Sequence, residues 1–284
     1  MKKTVFMALL ASLLLGTGAS VGLYANVGID ESSPDIVIWA QEVASFTPTG
    51  SGSLPSEGIS ALGAPDSTHV SLGDLDAPEI ASGASPGIIT LGFAQASIFN
   101  GPGWDFAVFE NAGEFFTAPF IFGELAYVEV STDGIAFAQF PSTSLNVEPG
   151  QGTADTELIV PFGRDFAGLN TNNVENLAGI HPQGTGTAFD LSDLGGEPLV
   201  QSGAVDLDEI NFVRLVDIPG NGAYQDSQGN PILDAWLTTV TGGLDLDAVG
   251  ARHVIPEPAS TTLALSSLLA LMVGFHRSSY SKQA

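Results

Sequence analysis

Hydrophobic residues in the middle of the chain occur in short runs that polar and turn-forming residues separate. The runs are rich in β-branched and aromatic side chains, which favour strands over helices. They are 35–39, 87–93, 105–109, 125–130, 157–160, 211–217 and 246–250. Short strands at regular spacing are typical of two packed antiparallel sheets. The pattern therefore predicts an all-β fold, a single β-sandwich.

A tight hairpin is predicted at Asp133-Gly134, between the runs 127–130 and 135–140. The Asp-Gly pair tolerates the positive φ that two-residue turns require. Away from the termini no long stretch repeats its hydrophobic residues every 3.6 positions, and only 166–170 and 190–194 are compatible with a turn of helix. We therefore expect little helix in the domain.

The N-terminus has the pattern of an export signal. A basic start, Met1-Lys2-Lys3, precedes an apolar run over 4–15, and small residues then lead to Ala25. This order predicts a signal peptide over 1–25, with an uncleaved anchor helix as the alternative. The folded domain is expected to cover 26–253.

The C-terminal segment, 254–284, combines three features in a fixed order. Pro256-Glu257-Pro258 comes first, an apolar helix-forming run over 259–275 follows, and Arg277 and Lys282 make a short basic tail. A run of about 17 residues is the lower limit of a membrane span. The basic end would stay in the cytoplasm by the positive-inside rule. The residues alone predict a single late transmembrane anchor.

This tripartite ending resembles the PEP-CTERM sorting signal of Gram-negative bacteria. The basic tail is weaker than the arginine cluster usual in that family. The resemblance implies processing by signal peptidase and an exosortase, a transient inner-membrane anchor through the C-terminal helix, and delivery to the cell surface or an exopolysaccharide matrix. A plain membrane anchor remains the alternative.

The charge balance excludes several function classes. The chain has 32 Asp+Glu, 7 Lys+Arg and a formal net charge of −25, and between 26 and 255 its only Lys or Arg residues are Arg164, Arg214 and Arg252. Such a polyanion will not bind nucleic acid or an anionic lipid surface by counterion release. With no cysteine there is no disulfide, thiol catalysis or zinc–thiolate site. With 44% hydrophobic residues, including 17 Phe, the chain is not a disordered acidic tail.

Acids inside apolar strands are the candidate metal ligands, because a buried carboxylate needs a cation or hydrogen-bond donors. In 243–250 alternation sends Asp245 and Asp247 to the face opposite Leu244, Leu246 and Ala248. The predicted metal site combines residues from two strands: Asp105, Glu110, Asn111, Asp245 and Asp247. Calcium takes six to eight oxygen ligands and is the expected ion.

A second, weaker set of acids brackets the glycine-rich stretch 218–232. Its members are Asp217, Asp226 and Asp234. For such loop acids a solvated acidic face with hydrogen-bonded turns is the favoured alternative. The chain has neither EF-hand spacing nor a nonapeptide calcium repeat.

Five segments carry a second resemblance. They are 103–111 (GWDFAVFEN), 124–134 (ELAYVEVSTDG), 177–179 (LAG), 212–217 (FVRLVD) and 243–250 (GLDLDAVG). They look like an uncharacterised family of secreted bacterial cell-surface proteins with a jelly-roll sandwich similar to galactose-binding and discoidin-like modules. The resemblance implies a structural calcium ion and sugar binding through loops at one end.

Catalysis has little support in the sequence. No Gly-x-Ser-x-Gly elbow surrounds a serine, and His181 lies in a loop where a structural role is favoured. The leading hypothesis is a non-enzymatic surface or matrix protein with a calcium-stabilised, adhesive or carbohydrate-facing β-sandwich, and exopolysaccharide is a candidate partner. The alternatives are a secreted polysaccharide hydrolase or lyase, and a purely structural matrix subunit.

Overall fold

A computed structural model describes residues 27–52, 58–94, 96–113, 119–146 and 168–256. Within these ranges the chain forms mostly antiparallel strands with few helices, so the predicted all-β class is confirmed. The predicted signal peptide, the strand at 157–160, Glu257, Pro258 and the anchor helix 259–275 lie outside the described residues.

The strands are numbered in chain order. The first ten are β1 (Gly28–Asp30), β2 (Ile38–Trp39), β3 (Glu42–Thr47), β4 (Val70–Ser71), β5 (Ile88–Gly92), β6 (Ala96–Ile98), β7 (Phe106–Glu110), β8 (Phe120–Ile121), β9 (Ala126–Ser131) and β10 (Ala138–Gln139). The others are β11 (Thr143–Ser144), β12 (Leu169–Asn170), β13 (Val174–Glu175), β14 (Thr185–Phe189), β15 (Phe212–Asp217), β16 (Asn221–Gln225), β17 (Pro231–Leu233), β18 (Asp245–Ala251) and β19 (Val254–Pro256).

Helices in the described part of the chain are short. They are α1 (Ala77–Ser82), α2 (Pro198–Gln201) and three 3₁₀ helices, Ile59–Ala61, Thr171–Asn173 and Leu191–Gly196. The last of these confirms the helical turn predicted at 190–194. Among the described residues no helix has the length and apolar character needed to cross a membrane.

Two larger sheets dominate the fold. The first has the order β1-β14-β7-β18-β2, and β4 adds a short pairing to β18. The second has the order β10-β9-β15-β5-β3. The neighbours in both sheets pair antiparallel. β7 and β18 are therefore adjacent in the middle of one sheet, and β9 and β15 in the other.

The two sheets share one hydrophobic core. Buried residues of β7, β14 and β18 in the first sheet belong to the same cluster as buried residues of β5, β9 and β15 in the second. At its centre the rings of Phe106 and Phe189 stack with centroids 5.2 Å apart, and Phe140 meets Phe189 edge-on at 5.1 Å. Such aromatic pairs contribute about 0.5–1.5 kcal/mol each beyond area burial.

The predicted pairing of the two strands is confirmed, but the turn is not as tight as predicted, because β9 ends at Ser131 and β10 begins at Ala138, so that six residues connect them. β9 and β10 pair, with Val130 opposite Ala138, and Gly134 has φ +74° in the turn between them. The Asp133 carboxylate accepts hydrogen bonds from the N–H groups of Ile135 and Ala136. Local hydrogen bonds to Asp133 therefore stabilise the turn, in addition to the glycine that adopts the positive φ.

A β-bulge in β18 changes the side-chain alternation predicted for 243–250. The pairing with β7 shifts register between Leu246 and Ala248, and Asp247 is the extra residue. Leu246 lies in the shared core, but Ala248 packs with a separate cluster on the other face, and Val249 enters the core instead. The prediction that Leu246 and Ala248 share a face is wrong because strict alternation ends at a bulge.

Candidate functional site

The predicted metal ligands do not all come together, because β7 and β18 run in opposite directions. Glu110 lies opposite Leu246, whereas Phe106 lies opposite Ala251. Asp105 therefore stands at the other end of β7 from Glu110, where its carbonyl accepts the N–H of Arg252. Asp105 does not share a site with Asp245 or Asp247.

The Asp105 side chain instead connects three separate parts of the chain by hydrogen bonds. It is fully buried and accepts hydrogen bonds from Gly101 N (2.8 Å), Leu191 N (2.7 Å) and His253 Nδ1 (2.7 Å). Burial raises its pKa, and these hydrogen bonds oppose the increase. Its carboxyl group thus has donors on both oxygens without a metal.

Asp247, the extra residue of the bulge, has different partners from Asp245, which contacts Ser71 and His69. Its Oδ1 accepts the N–H of Asp66 at 3.3 Å, and Ser67 also donates a backbone hydrogen bond. Burial raises the Asp247 pKa, and the nearby charges of Asp66 and Glu31 raise it further. The predicted pair of carboxylates on one sheet face therefore becomes two separate environments.

Glu110, Asn111 and Asp245 do come together, at the end of β7 and the start of β18. The Asn111 N–H donates to the Asp245 carbonyl at 3.0 Å. The side chains of all three line a cavity of about 440 Å³, whose other polar walls include Glu124, Thr241 and Gln183. Part of the predicted ligand set thus surrounds a space into which another molecule can fit.

Three more buried carboxylates do not line the cavity but interact with the acids that do. Asp217 ends β15 and accepts Leu244 N at 2.8 Å, while Asp234 follows β17 and accepts Leu125 N at 2.7 Å. Asp74 accepts Thr238 N at 3.0 Å. All three are at least 97% buried. They belong with the cavity acids because electrostatic interactions link Asp217 to Asp245, and Asp234 to Glu110.

These six acids, Asp74, Glu110, Glu124, Asp217, Asp234 and Asp245, form what we call the acidic cluster. Glu124 completes it through Thr238, whose hydroxyl contacts both Glu124 Oε1 and Asp74 Oδ2. Close packing helps to bring the acids together: Gly243 has φ +66°, and a Cβ there would lie 2.4 Å from Asp217 Oδ1. The sequence prediction missed Asp74 and Glu124, since both lie in loops beside strands, without a motif.

Burial raises the pKa values throughout the acidic cluster. Desolvation raises the pKa of Asp74 to about 7 despite hydrogen bonds from Thr238. The pKa of Glu110 is raised well above its usual value by complete burial and then by the neighbouring Asp245 charge. Glu124 is raised by burial and then by Asp245. Each acid therefore makes ionisation of the others more costly.

Asp226 is separate from the acidic cluster and organises a turn. Its carboxylate accepts hydrogen bonds from Ser144 N (2.9 Å), Gln228 N (2.8 Å) and Asn230 N (2.8 Å). Burial disfavours the charge, but these donors outweigh it and the Asp226 pKa is lowered. The predicted set Asp217, Asp226 and Asp234 therefore splits, with Asp217 and Asp234 near the cavity and Asp226 in its own loop.

Positive charge is scarce near the acidic cluster. Arg214 pairs with Glu129 and stacks on Phe137, and Arg252 lies 5.2 Å from the centre of the Trp104 ring. In the described ranges the one basic side chain that meets the acidic cluster in an ion pair is His69, whose Nε2 is 3.6 Å from Asp245 Oδ2. Within the part of the chain that the structure describes, most of the six acids therefore have no basic side chain as an ion-pair partner.

The described side chains are not already arranged as a complete metal-ligand set. In the parts of the chain that the structure covers, no three His, Cys, Asp or Glu side chains are grouped so as to hold a metal ion by themselves. The cavity offers carboxylates together with amide and hydroxyl groups. Chemically this arrangement can bind a hard cation with help from neutral oxygens, bind sugar hydroxyls, or hold a proton for acid–base chemistry.

No model of a protein family matches the chain, and a search of curated proteins finds no match either.

Proposed function

We propose that this protein is an exported cell-surface or extracellular-matrix protein whose β-sandwich binds carbohydrate and is stabilised by calcium. The observation that carries the proposal is the cavity of about 440 Å³ with carboxylate, amide and hydroxyl walls. Its size is in the range of small-ligand sites, about 300–1,000 Å³. Carboxylates and side-chain amides of this kind match the hydroxyl donors and acceptors of a sugar.

The two antiparallel sheets around one core support a jelly-roll of the galactose-binding or discoidin-like kind as the finer description of the fold. In such an architecture ligands meet loops at one end of the sandwich. The acidic cluster is made from residues at or near strand ends: Glu110 ends β7, Asp217 ends β15 and Asp245 begins β18. The position of these acids at or near strand ends supports the proposal of a ligand site among the loops.

Export rests on the two ends of the chain. The signal-peptide pattern over 1–25 and the PEP-CTERM-like ending over 254–284 support processing by signal peptidase and an exosortase, with the inner membrane contacted only through the C-terminal helix. Pro256, the first residue of the motif, is the last residue of β19 and pairs with Ala96 of β6. Processing at this motif would therefore take place directly beside the folded domain, without a long linker.

A polysaccharide hydrolase or lyase is the second candidate, and one observation favours it. Glu110 and Asp245 line the same cavity in different environments, since Asp245 contacts Ser71 and His69 while Glu110 Oε1 has no hydrogen-bond partner among the described residues. Two carboxyl groups with unequal surroundings are the usual basis of glycosidase acid–base chemistry. A purely structural matrix subunit, with no small ligand, is the third candidate.

A glycan array with the full chain tests the proposal. We expect binding to one or more surface polysaccharides that is reduced when calcium is removed with EDTA, because the metal stabilises the binding loops. Turnover of an acidic exopolysaccharide would favour the enzyme instead. Absence of both binding and turnover would contradict the proposal and favour the structural subunit.

A further inference from the structure

Glu110 is a buried acidic side chain without a complete set of partners. It is 3% exposed and lines the cavity, and its Oε1 has no hydrogen-bond donor among the described residues. A buried carboxylate oxygen without a donor is strongly destabilising. Because the side chain faces a space large enough for further atoms, the missing partner has room to bind there.

The charges around this oxygen narrow the class of partner. Asp245 is the charged neighbour that acts most directly on Glu110, and Glu124 stands on another wall of the same cavity. Both are acids, and the adjacent His69 is already engaged with Asp245. An anionic or neutral partner would leave this excess of negative charge in place. A cation would remove it.

The other walls supply the kind of ligand that calcium takes beside carboxylates. Asn111 and Gln183 carry amide oxygens and Thr241 a hydroxyl, and all three line the cavity. Calcium coordinates six to eight oxygens from carboxylates, carbonyls and water at about 2.3–2.6 Å, in flexible geometry. Two carboxylates with neutral oxygens and water therefore suffice, without three acids grouped in advance.

We infer that the cavity is a calcium site in which Glu110 and Asp245 are the carboxylate ligands and Glu124 adds negative charge from another wall. This inference deepens the proposed function and rests on it for the extracellular supply of calcium. The cavity is much larger than one ion, since even a single water molecule takes only about 30 Å³ in the liquid. The ion therefore keeps coordination positions that face the remaining space, where water or an oxygen of a bound sugar can occupy them.

The test uses the full chain and calcium itself as the probe. After calcium is removed, the thermal midpoint of the wild type is measured against CaCl₂ at constant ionic strength. If the affinity is in the range of extracellular modules, a Kd of about 10⁻⁴–10⁻³ M, several millimolar Ca²⁺ raises the midpoint by about 2–9 °C. Equilibrium dialysis should show at least one bound ion per chain.

Glu110→Gln removes one proposed ligand charge with almost no change in shape. We expect about tenfold weaker calcium binding or more, in the range seen when a metal site loses a supporting group, and little remaining rise in the midpoint. Asp226→Asn is the matched control, because Asp226 is also buried but lies in a separate loop. It should lower the midpoint and leave the response to calcium unchanged.

Three results would overturn the inference: no calcium binding to the wild type, an undiminished response in Glu110→Gln, or an equal loss of response in Asp226→Asn. If Glu110→Gln does not fold, Asp245→Asn takes its place with the same expectation. Glycan binding is measured separately on the same samples. Glycan binding that is equal with and without calcium, with no calcium bound, would support the carbohydrate proposal and contradict the calcium site. Calcium binding without glycan binding would support the calcium site and contradict the carbohydrate proposal.

Discussion

Replacing Asp105 by alanine should lower the free energy of unfolding by about 3–5 kcal/mol, the range for removing one partner of a buried charged pair. The carboxylate accepts hydrogen bonds from Gly101 N, Leu191 N and His253 Nδ1, and alanine leaves all three donors without it. Buried donors that lose their acceptor cost about 1–3 kcal/mol each. Urea unfolding of the purified chain measures the change.

Asp105→Asn is the control for shape. It keeps the volume and one acceptor oxygen, so its loss should be clearly smaller than that of Asp105→Ala. Because Asp105 is far along β7 from the cavity, neither variant should alter calcium binding. A loss below about 1 kcal/mol for Asp105→Ala, which is the scale of one ordinary hydrogen bond, would show that these bonds do not anchor the segment.

The second large effect is a dependence of stability on pH that is opposite to ordinary acid denaturation. Burial raises the pKa of Asp74 to about 7 in the folded state, against an ordinary value of 3.8, so the native state binds more protons than the unfolded state between these values. This contribution to stability is full below the unfolded pKa and is lost as pH rises through the folded one. The shift corresponds to about 4 kcal/mol for Asp74.

Other acids that interact with Asp74 also favour loss of stability as the pH rises. Asp217 and Asp234 interact with it, and Glu79 from α1 raises its pKa. His181, whose pKa is lowered by burial, opposes this trend within the same pH range. Asp30, Asp66, Asp133 and Asp226 also have lowered pKa values, but their effect on stability falls mainly at more acidic pH. Calcium-free protein should therefore unfold at lower urea concentration at pH 8 than at pH 5.

Asp74→Asn supplies the matched comparison for the pH experiment. The amide cannot ionise, so the difference between pH 5 and pH 8 should shrink in this variant. The wild-type experiment is repeated with calcium, which should restore part of the stability at pH 8. A calcium-free wild type that is equally stable at both pH values, or more stable at pH 8, would contradict the raised pKa values of the acidic cluster.

Several elements of the fold were predictable from local pattern. The strands at 87–93, 105–109, 125–130 and 211–217 correspond within a residue or two to β5, β7, β9 and β15. Their β-branched and aromatic residues favour strands wherever the chain places them. The Asp133-Gly134 turn was predictable for the same reason, since its conformation depends on these residues and their immediate neighbours.

Other elements depended on distant partners. Residues 166–170 had the composition of a helical turn, but Leu169–Asn170 forms β12 because it pairs with β8. The acids that bracket the glycine-rich stretch 218–232 were predicted to lie in loops, yet this stretch contains β16, which pairs with β17. Such short strands form because they pair with another segment of the chain, and the local composition of the sequence does not indicate this pairing.

The candidate site was likewise predictable from the sequence only in part. Adjacency in sequence was enough to place Glu110 beside Asn111, and the apolar setting of Asp245 indicated burial. Asp105 was assigned to the same site because it shares a strand with Glu110, but five residues of extended chain separate the two by roughly 16 Å. Asp74 and Glu124 share Thr238 as a hydrogen-bond partner, and this contact joins segments that are far apart in the chain.

The sequence by itself determined the all-β class, the main strands, the hairpin and the excess of acids over the cations available to them. Only the tertiary structure decided which acids meet. The antiparallel register of β7 and β18 separates Asp105 from Asp245, the bulge at Asp247 ends the strict alternation of β18, and the meeting of strand ends from both sheets gathers the acidic cluster. Register, bulges and sheet packing depend on contacts between residues far apart in the chain, so a local pattern of residues does not specify them.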